Sequence, residues 1–172
     1  KALAERALLA ADADGLERVV VRPRFVWGAG DLTLLPEMVE MVRSGRFAWI
    51  GGGRHLTDTT HVDNVVRGLR LAADRGRSGE AYFVTDGEPV VFRDFVTKLL
   101  ATQGIPEPTR SVPGGVARFV AAAGEAVWEL LGLRGAPPVD RMSVWVSGVE
   151  GTIDISKARS ELGYVPVRTL ES

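Results

Sequence analysis

The run LERVVVRPRFVWG, residues 16–28, constrains the fold more than any other stretch of the chain. Val19 to Val21 form a β-branched centre with no polar alternation, which reads as a strand covered on both faces, as in a parallel sheet. Pro23 takes the backbone out of the sheet at the strand's carboxyl end, where open α/β sheets bind ligands. Helical and strand-like patterns alternate around this strand. KALAERALLAA predicts a helix with Leu3, Ala7, Leu8 and Ala11 on one face. AGDLTLLPEMVEMVRSG predicts a second helix, RFAWIGGG a short strand running into glycines, and DNVVRGLRLAADRG an amphipathic helix with Val65, Val66, Leu69 and Ala73 inward. EAYFVTDGEP is read as a strand and turn, FRDFVTKLLATQG as a helix, and QGIPEPTRSVP as a turn region.

The helix expected in GGVARFVAAAGEAVWELLGLRG carries the stripe Val116, Phe119, Val120, Ala123, Val127, Leu130 and Leu131, with Arg118, Glu125 and Glu129 opposite. APPVDRMSVWVSG is irregular. GTIDISKARSELGYVP closes the pattern with a strand, Ser156 as N-cap, a short helix, Gly163 as left-handed terminator and Pro166 beyond. Strands alternating with helices indicate an α/β fold.

A chain of 172 residues with 45% apolar side chains can bury a core of one domain. The formal net charge is −1, with both signs interspersed, so no nucleic-acid partner is expected. Absence of cysteine excludes disulfides and thiolate chemistry, and two histidines are too few for a zinc site. No uncharged apolar stretch is long enough for a membrane span, and no signal peptide precedes the first helix, so a soluble cytoplasmic protein is the expectation. The first helix starts without an N-cap and the final TLES has no breaker, which suggests a piece of a larger protein.

TDTTHVDNVV, residues 57–66, raises the first question of chemistry. His61 is read as a hydrogen-bonded structural residue in preference to a catalyst. Asp63 is read as an N-cap accepting the amide of Val65 or Val66 in preference to a catalytic carboxylate. Gly51 to Gly53 could cradle a phosphate, but they open no helix in the G-x-G-x-x-G spacing, so a turn is expected.

Taken in order, KALAER, RPRFVWGAGD, HVDNV before a helix, EAYFVTDGEPV and DISKARSELGYVP resemble the carboxyl-terminal half of an extended short-chain dehydrogenase/reductase. The closest flavour is the 3β-hydroxysteroid dehydrogenase-like branch, to which GGGRHLTDTTHVDNVVRGLRLAAD contributes much. The resemblance implies one partial domain over residues 1–172: the carboxyl-terminal part of a Rossmann-type sheet interleaved with a small, mostly helical substrate-binding lobe. The amino-terminal cofactor-binding half, with its phosphate loop, is not in this sequence. The chain alone is therefore expected to be inactive.

In that family a Tyr-x-x-x-Lys pair handles the proton, and Lys1 matches its lysine; the tyrosine would lie four residues upstream. The implied activity is an NAD- or NADP-dependent interconversion of a secondary alcohol and a ketone on a bulky apolar substrate, of the sterol, steroid or long-chain β-hydroxy acid type. The resemblance implies that Lys1, Pro23, Arg24, Phe25 and Val26 approach the cofactor. Phe25, Trp27, Arg54, Thr57, Phe119 and Trp128 are the expected substrate contacts. The intact parent is expected to be a homodimer, with peripheral membrane contact open to it through Trp128. Nucleotide-sugar epimerases and dehydratases are one alternative; they read R-D-F-x-H-V-D-D, with the arginine gripping a diphosphate. Aligning on HVDN puts Thr57 at that arginine and Asp58 at the aspartate, and threonine offers no charged fork, although Arg54 lies three residues away. A non-catalytic cofactor-binding relative is a further alternative.

Overall fold

A computed structural model describes residues 2–11, 15–130 and 148–171. The chain divides into two compact units: residues 1–31, 58–89 and 152–172 form one, and residues 32–57 and 90–151 the other.

The first unit is α/β with parallel pairing. Helix α1 (Ala2–Ala10) precedes strand β1 (Val20–Pro23), followed by the two-residue strand β2 (Val26–Trp27). Strand β5 (Thr60–His61) leads directly into helix α3 (Val62–Arg75), and β6 (Ala81–Val84) follows. β1 pairs in parallel with β6, Val20 opposite Ala81 through Pro23 opposite Val84, and β2 pairs in parallel with β5. Among the described residues β1 has this single neighbour in its sheet. Its valines are accordingly half-buried where the sequence predicts full coverage.

The core of this unit joins Ala72 of α3, Tyr82 and Val84 of β6, and Ile155, Ala158, Leu162 and Tyr164 from the closing segment. The motif DISKARSELGYVP thus has a packing reason: its apolar positions seal β6 and α3. The Asp154 carboxylate accepts both the amide and the hydroxyl of Ser156 at 2.8 Å, which holds its acid below the usual range. Asp154, not Ser156, therefore supplies the capping side chain expected there. The turn Ala158–Leu162 is wound more widely than an α-helix and ends at Gly163, with φ of 67°. Tyr164 is fully buried with its hydroxyl donating to the Thr85 carbonyl at 2.8 Å, and burial pushes its pKa well up.

The inward face of α3 differs from the expectation. Asn64, Gly68 and Ala72 are the buried positions, whereas Val66 and Leu69 are 44% and 52% exposed and Ala73 faces solvent. Close approach to the sheet explains it: a Cβ on Gly68 would sit 2.9 Å from Val84 Cγ1. Small residues let the helix backbone sit against β6, and the bulkier valine and leucine are turned away. Helix α1 is likewise exposed along Leu3, Ala7, Leu8 and Ala11, and its half-buried Glu5 pairs with Arg22 of β1.

The second unit contains α2 (Leu34–Arg43), β3 (Trp49–Ile50), β4 (Leu56–Thr57), β7 (Val90–Val91), α4 (Phe92–Ala101), β8 (Ser111–Val112) and α5 (Gly114–Leu130). Met38, Trp49, Phe92, Phe95, Val96, Leu99 and Leu100 are buried in it. The Trp49 indole is 1% exposed and donates to the Pro108 carbonyl at 2.6 Å, so its polar edge is satisfied. Gly51 to Gly53 form a tight turn with positive φ at each residue, and a Cβ on Gly53 would lie 2.7 Å from the Trp49 ring. Gly53 serves that contact.

On α5 the expected stripe is reversed. Ala117 and Ala121 pack against Ile50 and Val112, while Val116, Phe119 and Val120 are 51%, 74% and 52% exposed and Ala123 faces solvent. Alanines allow the helix to approach β3 and β8 closely, which the larger side chains would prevent. Leu131 and the side chains of Val127 and Leu130, as well as most of the irregular stretch after them, lie outside the described residues.

Candidate active site

The strand-end segment beyond Pro23 is held by the strand that precedes α3. Phe25 has φ of 41°, a left-handed conformation that a non-glycine residue adopts only when its surroundings impose it. Thr60 supplies the constraint. Its Oγ1 accepts the Arg24 amide at 3.1 Å and donates toward the Arg24 and Val84 carbonyls at 2.9 and 3.1 Å, while its own amide donates to the Phe25 carbonyl at 3.2 Å. Val26 and Trp27 then pair with Thr60 and His61 as β2. Gly28 follows with φ of 133°, and a Cβ there would lie 2.9 Å from Val62 and 3.0 Å from His61 Nε2. Pro23, Arg24, Phe25, Val26 and Trp27 are thereby brought together at the carboxyl end of β1.

His61 begins α3. Its backbone is extended, and its Nδ1 accepts the Asp63 amide at 3.1 Å, which makes it the N-cap. Asp63, expected in that position, lies in the first helical turn because the helix begins at Val62; its carboxylate instead receives Arg168 Nε at 3.2 Å. The His61 ring meets the Trp27 ring edge-on, with centroids 4.7 Å apart.

The residue that organises this region is Asp86, in the turn expected after β6. It is 6% exposed. Oδ1 accepts the His61 amide at 2.6 Å and Asn64 Nδ2 at 2.7 Å; Oδ2 accepts Trp27 Nε1 and Thr59 Oγ1, each at 2.7 Å. Asn64 is fully buried and carries the connection onward, donating to the Arg168 carbonyl and accepting the amides of Val167 and Arg168. Asp58 is 1% exposed and accepts the Ile153 amide at 2.6 Å; burial pushes its acid up, against the opposing effect of that hydrogen bond. The polar run DTT leading into β5 and the pair TD closing the apolar β6 are the signal that could have pointed to this network.

The remaining expected site residues lie in the second unit. Arg54 is exposed beside the glycine turn. Thr57 is fully buried in β4, opposite Val90, with no hydrogen-bond partner for its hydroxyl among the described residues. Phe119 is exposed on α5 and Trp128, on the same helix, is half-buried. Lys1 lies outside the described residues.

Residues 1–113 match the 3-beta hydroxysteroid dehydrogenase/isomerase family. The chain belongs to that family. Among its relatives is a 4-hydroxy-2-methyl-3-oxo-4-farnesyl-3,4-dihydroquinoline-1-oxide ketoreductase of Stigmatella aurantiaca, 48% identical over 95% of this chain and 49% of its own length. A 2-alkyl-3-oxoalkanoate reductase of Stenotrophomonas maltophilia is 36% identical over 99% of this chain and 53% of its own. The chain thus spans about half the length of these curated relatives. A solved nucleoside-diphosphate-sugar epimerase from Pseudomonas aeruginosa superposes with a TM-score of 0.68 at 23% identity, covering 99% of this chain and 50% of that one. A dTDP-glucose 4,6-dehydratase from Streptomyces venezuelae, solved with NAD bound, gives 0.58 at 21%, covering 99% and 44%. This member of the 3-beta hydroxysteroid dehydrogenase/isomerase family and these solved enzymes share one α/β fold over the matched part. Among the described residues of this family member, no helix is long and apolar enough to cross a membrane.

Proposed function

We propose that the intact protein carrying this chain is an NAD- or NADP-dependent oxidoreductase that interconverts a secondary alcohol and a ketone on a bulky apolar substrate. The observation that carries the reading is the 48% identity, over nearly the whole chain, to a ketoreductase whose named substrate bears a farnesyl group. The sequence kinship to a 2-alkyl-3-oxoalkanoate reductase points the same way.

The strand-end segment fits one end of such a cofactor. Phe25 stands in a conformation maintained by Thr60, and Gly28 lets the segment pack directly against Val62 and His61, where any side chain would clash. Pro23, Arg24, Phe25 and Val26 would hold the nicotinamide end, with Phe25 and Trp27 flanking the bound rings. The nicotinamide, when bound, supplies or receives hydride. Lys1 would bind the cofactor ribose and lower the pKa of the tyrosine that moves the substrate proton. Phe119 and Trp128 would line the substrate's path. Arg54, exposed beside the glycine turn, would adjoin its polar end, whereas the buried Thr57 has no surface to offer it. A cytoplasmic homodimer belongs to the same reading. The largely exposed Phe119 and its neighbours also suit contact with a membrane surface.

The test is a spectrophotometric assay of the intact protein with each reduced nicotinamide cofactor and a panel of 2-alkyl-3-oxo acids and 3-oxosteroids. Cofactor oxidation that depends on one of these ketones is expected. Cofactor binding without turnover across the panel would favour a non-catalytic relative.

A further inference from the structure

We propose that Asp86 is a positioning residue for the nicotinamide end of the cofactor site, acting through the Trp27 indole. The inference rests on the functional reading above. A carboxylate offers about four lone-pair directions, and Trp27, Thr59, His61 and Asn64 occupy them. Such a group has no lone pair left for substrate and cannot take a proton without releasing one of its partners. General acid or base work is excluded on that ground, and orientation is what remains.

Its partners divide by location. Thr59 and Asn64 are fully buried, and the His61 amide belongs to the start of α3. Trp27 is the partner on the strand-end segment, half-buried at the carboxyl end of the parallel strands. A hydrogen bond to a carboxylate in a buried setting is stronger than one between neutral groups, so the bond at Nε1 fixes one edge of the indole. The His61 ring, at 4.7 Å and 79° to it, limits rotation from another side. The residues just before Trp27 are the ones forced into the left-handed turn at Phe25. Thr60 secures that turn from Arg24, and Asp86 secures it from Trp27. A strained turn held at both ends presents a fixed aromatic surface, which suits a flat heteroaromatic ring that must meet its substrate in one orientation.

The structural and positioning roles of Asp86 are separable by variants. Trp27→Phe removes the Nε1 donor and keeps an aromatic ring in a half-buried place, so folding is retained. Thr59→Val removes the other donor to the same oxygen from the fully buried side. In the intact protein, calorimetric titration with NADH, NADPH and ADP-ribose reads both. ADP-ribose carries the pyrophosphate and adenosine of NADH without the nicotinamide, and its 2′-phosphorylated form replaces it where NADPH is the preferred dinucleotide. Trp27→Phe is expected to weaken the preferred dinucleotide about tenfold, the scale of one charge-assisted hydrogen bond, and to leave ADP-ribose within about twofold. Its near-ultraviolet circular dichroism should lose the signature of a fixed indole. Thr59→Val should lower the melting temperature and leave the ratio of dinucleotide to ADP-ribose affinity unchanged. Asp86→Asn, where it folds, should follow Trp27→Phe. Unchanged dinucleotide affinity in Trp27→Phe, or an equal loss for ADP-ribose, overturns the inference while the functional reading stands. Failure of the wild-type protein to bind either dinucleotide overturns both.

Discussion

His61 Nδ1 accepts the backbone N–H of Asp63 at 3.1 Å, so this histidine begins α3. Its side chain satisfies a helix terminus, a role an asparagine performs equally well, and its ring also flanks Trp27, a contact the asparagine gives up. His61→Asn should therefore keep stability near the wild-type value and turnover within about tenfold, whereas His61→Ala should lose about 1 kcal/mol. Denaturant midpoints and steady-state rates on the intact protein check both. A folded His61→Asn protein without activity would make the histidine catalytic.

Gly68→Ala places a methyl group 2.9 Å from Val84 Cγ1, and Val84 is fully buried with no room to withdraw. Alanine gains roughly 1 kcal/mol of helix propensity over glycine, but overpacking costs about 1–3 kcal/mol. The clash should win, giving a net loss in urea melts. Adding Val84→Ala to Gly68→Ala should recover part of that loss, and simple additivity of the two would show that the helix does not press on β6 there.

Burial raises the folded-state pKa of Asp58 above its unfolded value. For a carboxyl shifted upward, the folded protein binds more protons than the unfolded chain between the two pKa values, so stability falls as pH rises through that window. Asp58→Asn keeps an oxygen for the Ile153 amide and removes the titration. Its stability relative to wild type should increase from about pH 3 to pH 7, the acid's ordinary pKa lying near 3.9. A flat difference across that range, measured by thermal melts, would contradict the burial effect.

Much of this architecture was legible in the sequence because periodicity survives without tertiary information. The strand expected around Val19–Val21 forms over Val20–Pro23, and the helices α1 to α5 and the left-handed stop at Gly163 stand where local patterns put them. The closing strand expected before Ser156 is reduced, among the described residues, to a single bridge from Gly151 to Thr57. The buried faces of α3 and α5 also depart from the local patterns, for one shared reason. Ranking positions by hydrophobicity selects Val66, Leu69, Val116 and Phe119, but contact at short range selects Gly68, Ala72, Ala117 and Ala121. The candidate site was legible in part. RPRFVWG marks the strand end, yet its anchor Asp86 lies 59 positions from Trp27, and no local spacing connects them.

Lys1→Ala in the intact protein should lower turnover far more than stability, by about 3 kcal/mol in the transition state or roughly a hundredfold. Near-normal turnover would remove Lys1 from the proton-handling pair.

The most direct test of the central claim is a substrate competition assay on the intact protein, following nicotinamide absorbance. Long-chain β-hydroxy acids and 3β-hydroxysteroids are supplied as substrates with and without UDP-sugars. Thr57 offers no charge to a diphosphate and is buried, so hydroxy acid or hydroxysteroid oxidation that UDP-sugars do not inhibit is the predicted result. Turnover of, or protection by, UDP-sugars with none by the apolar alcohols would contradict it and place the protein with the epimerases.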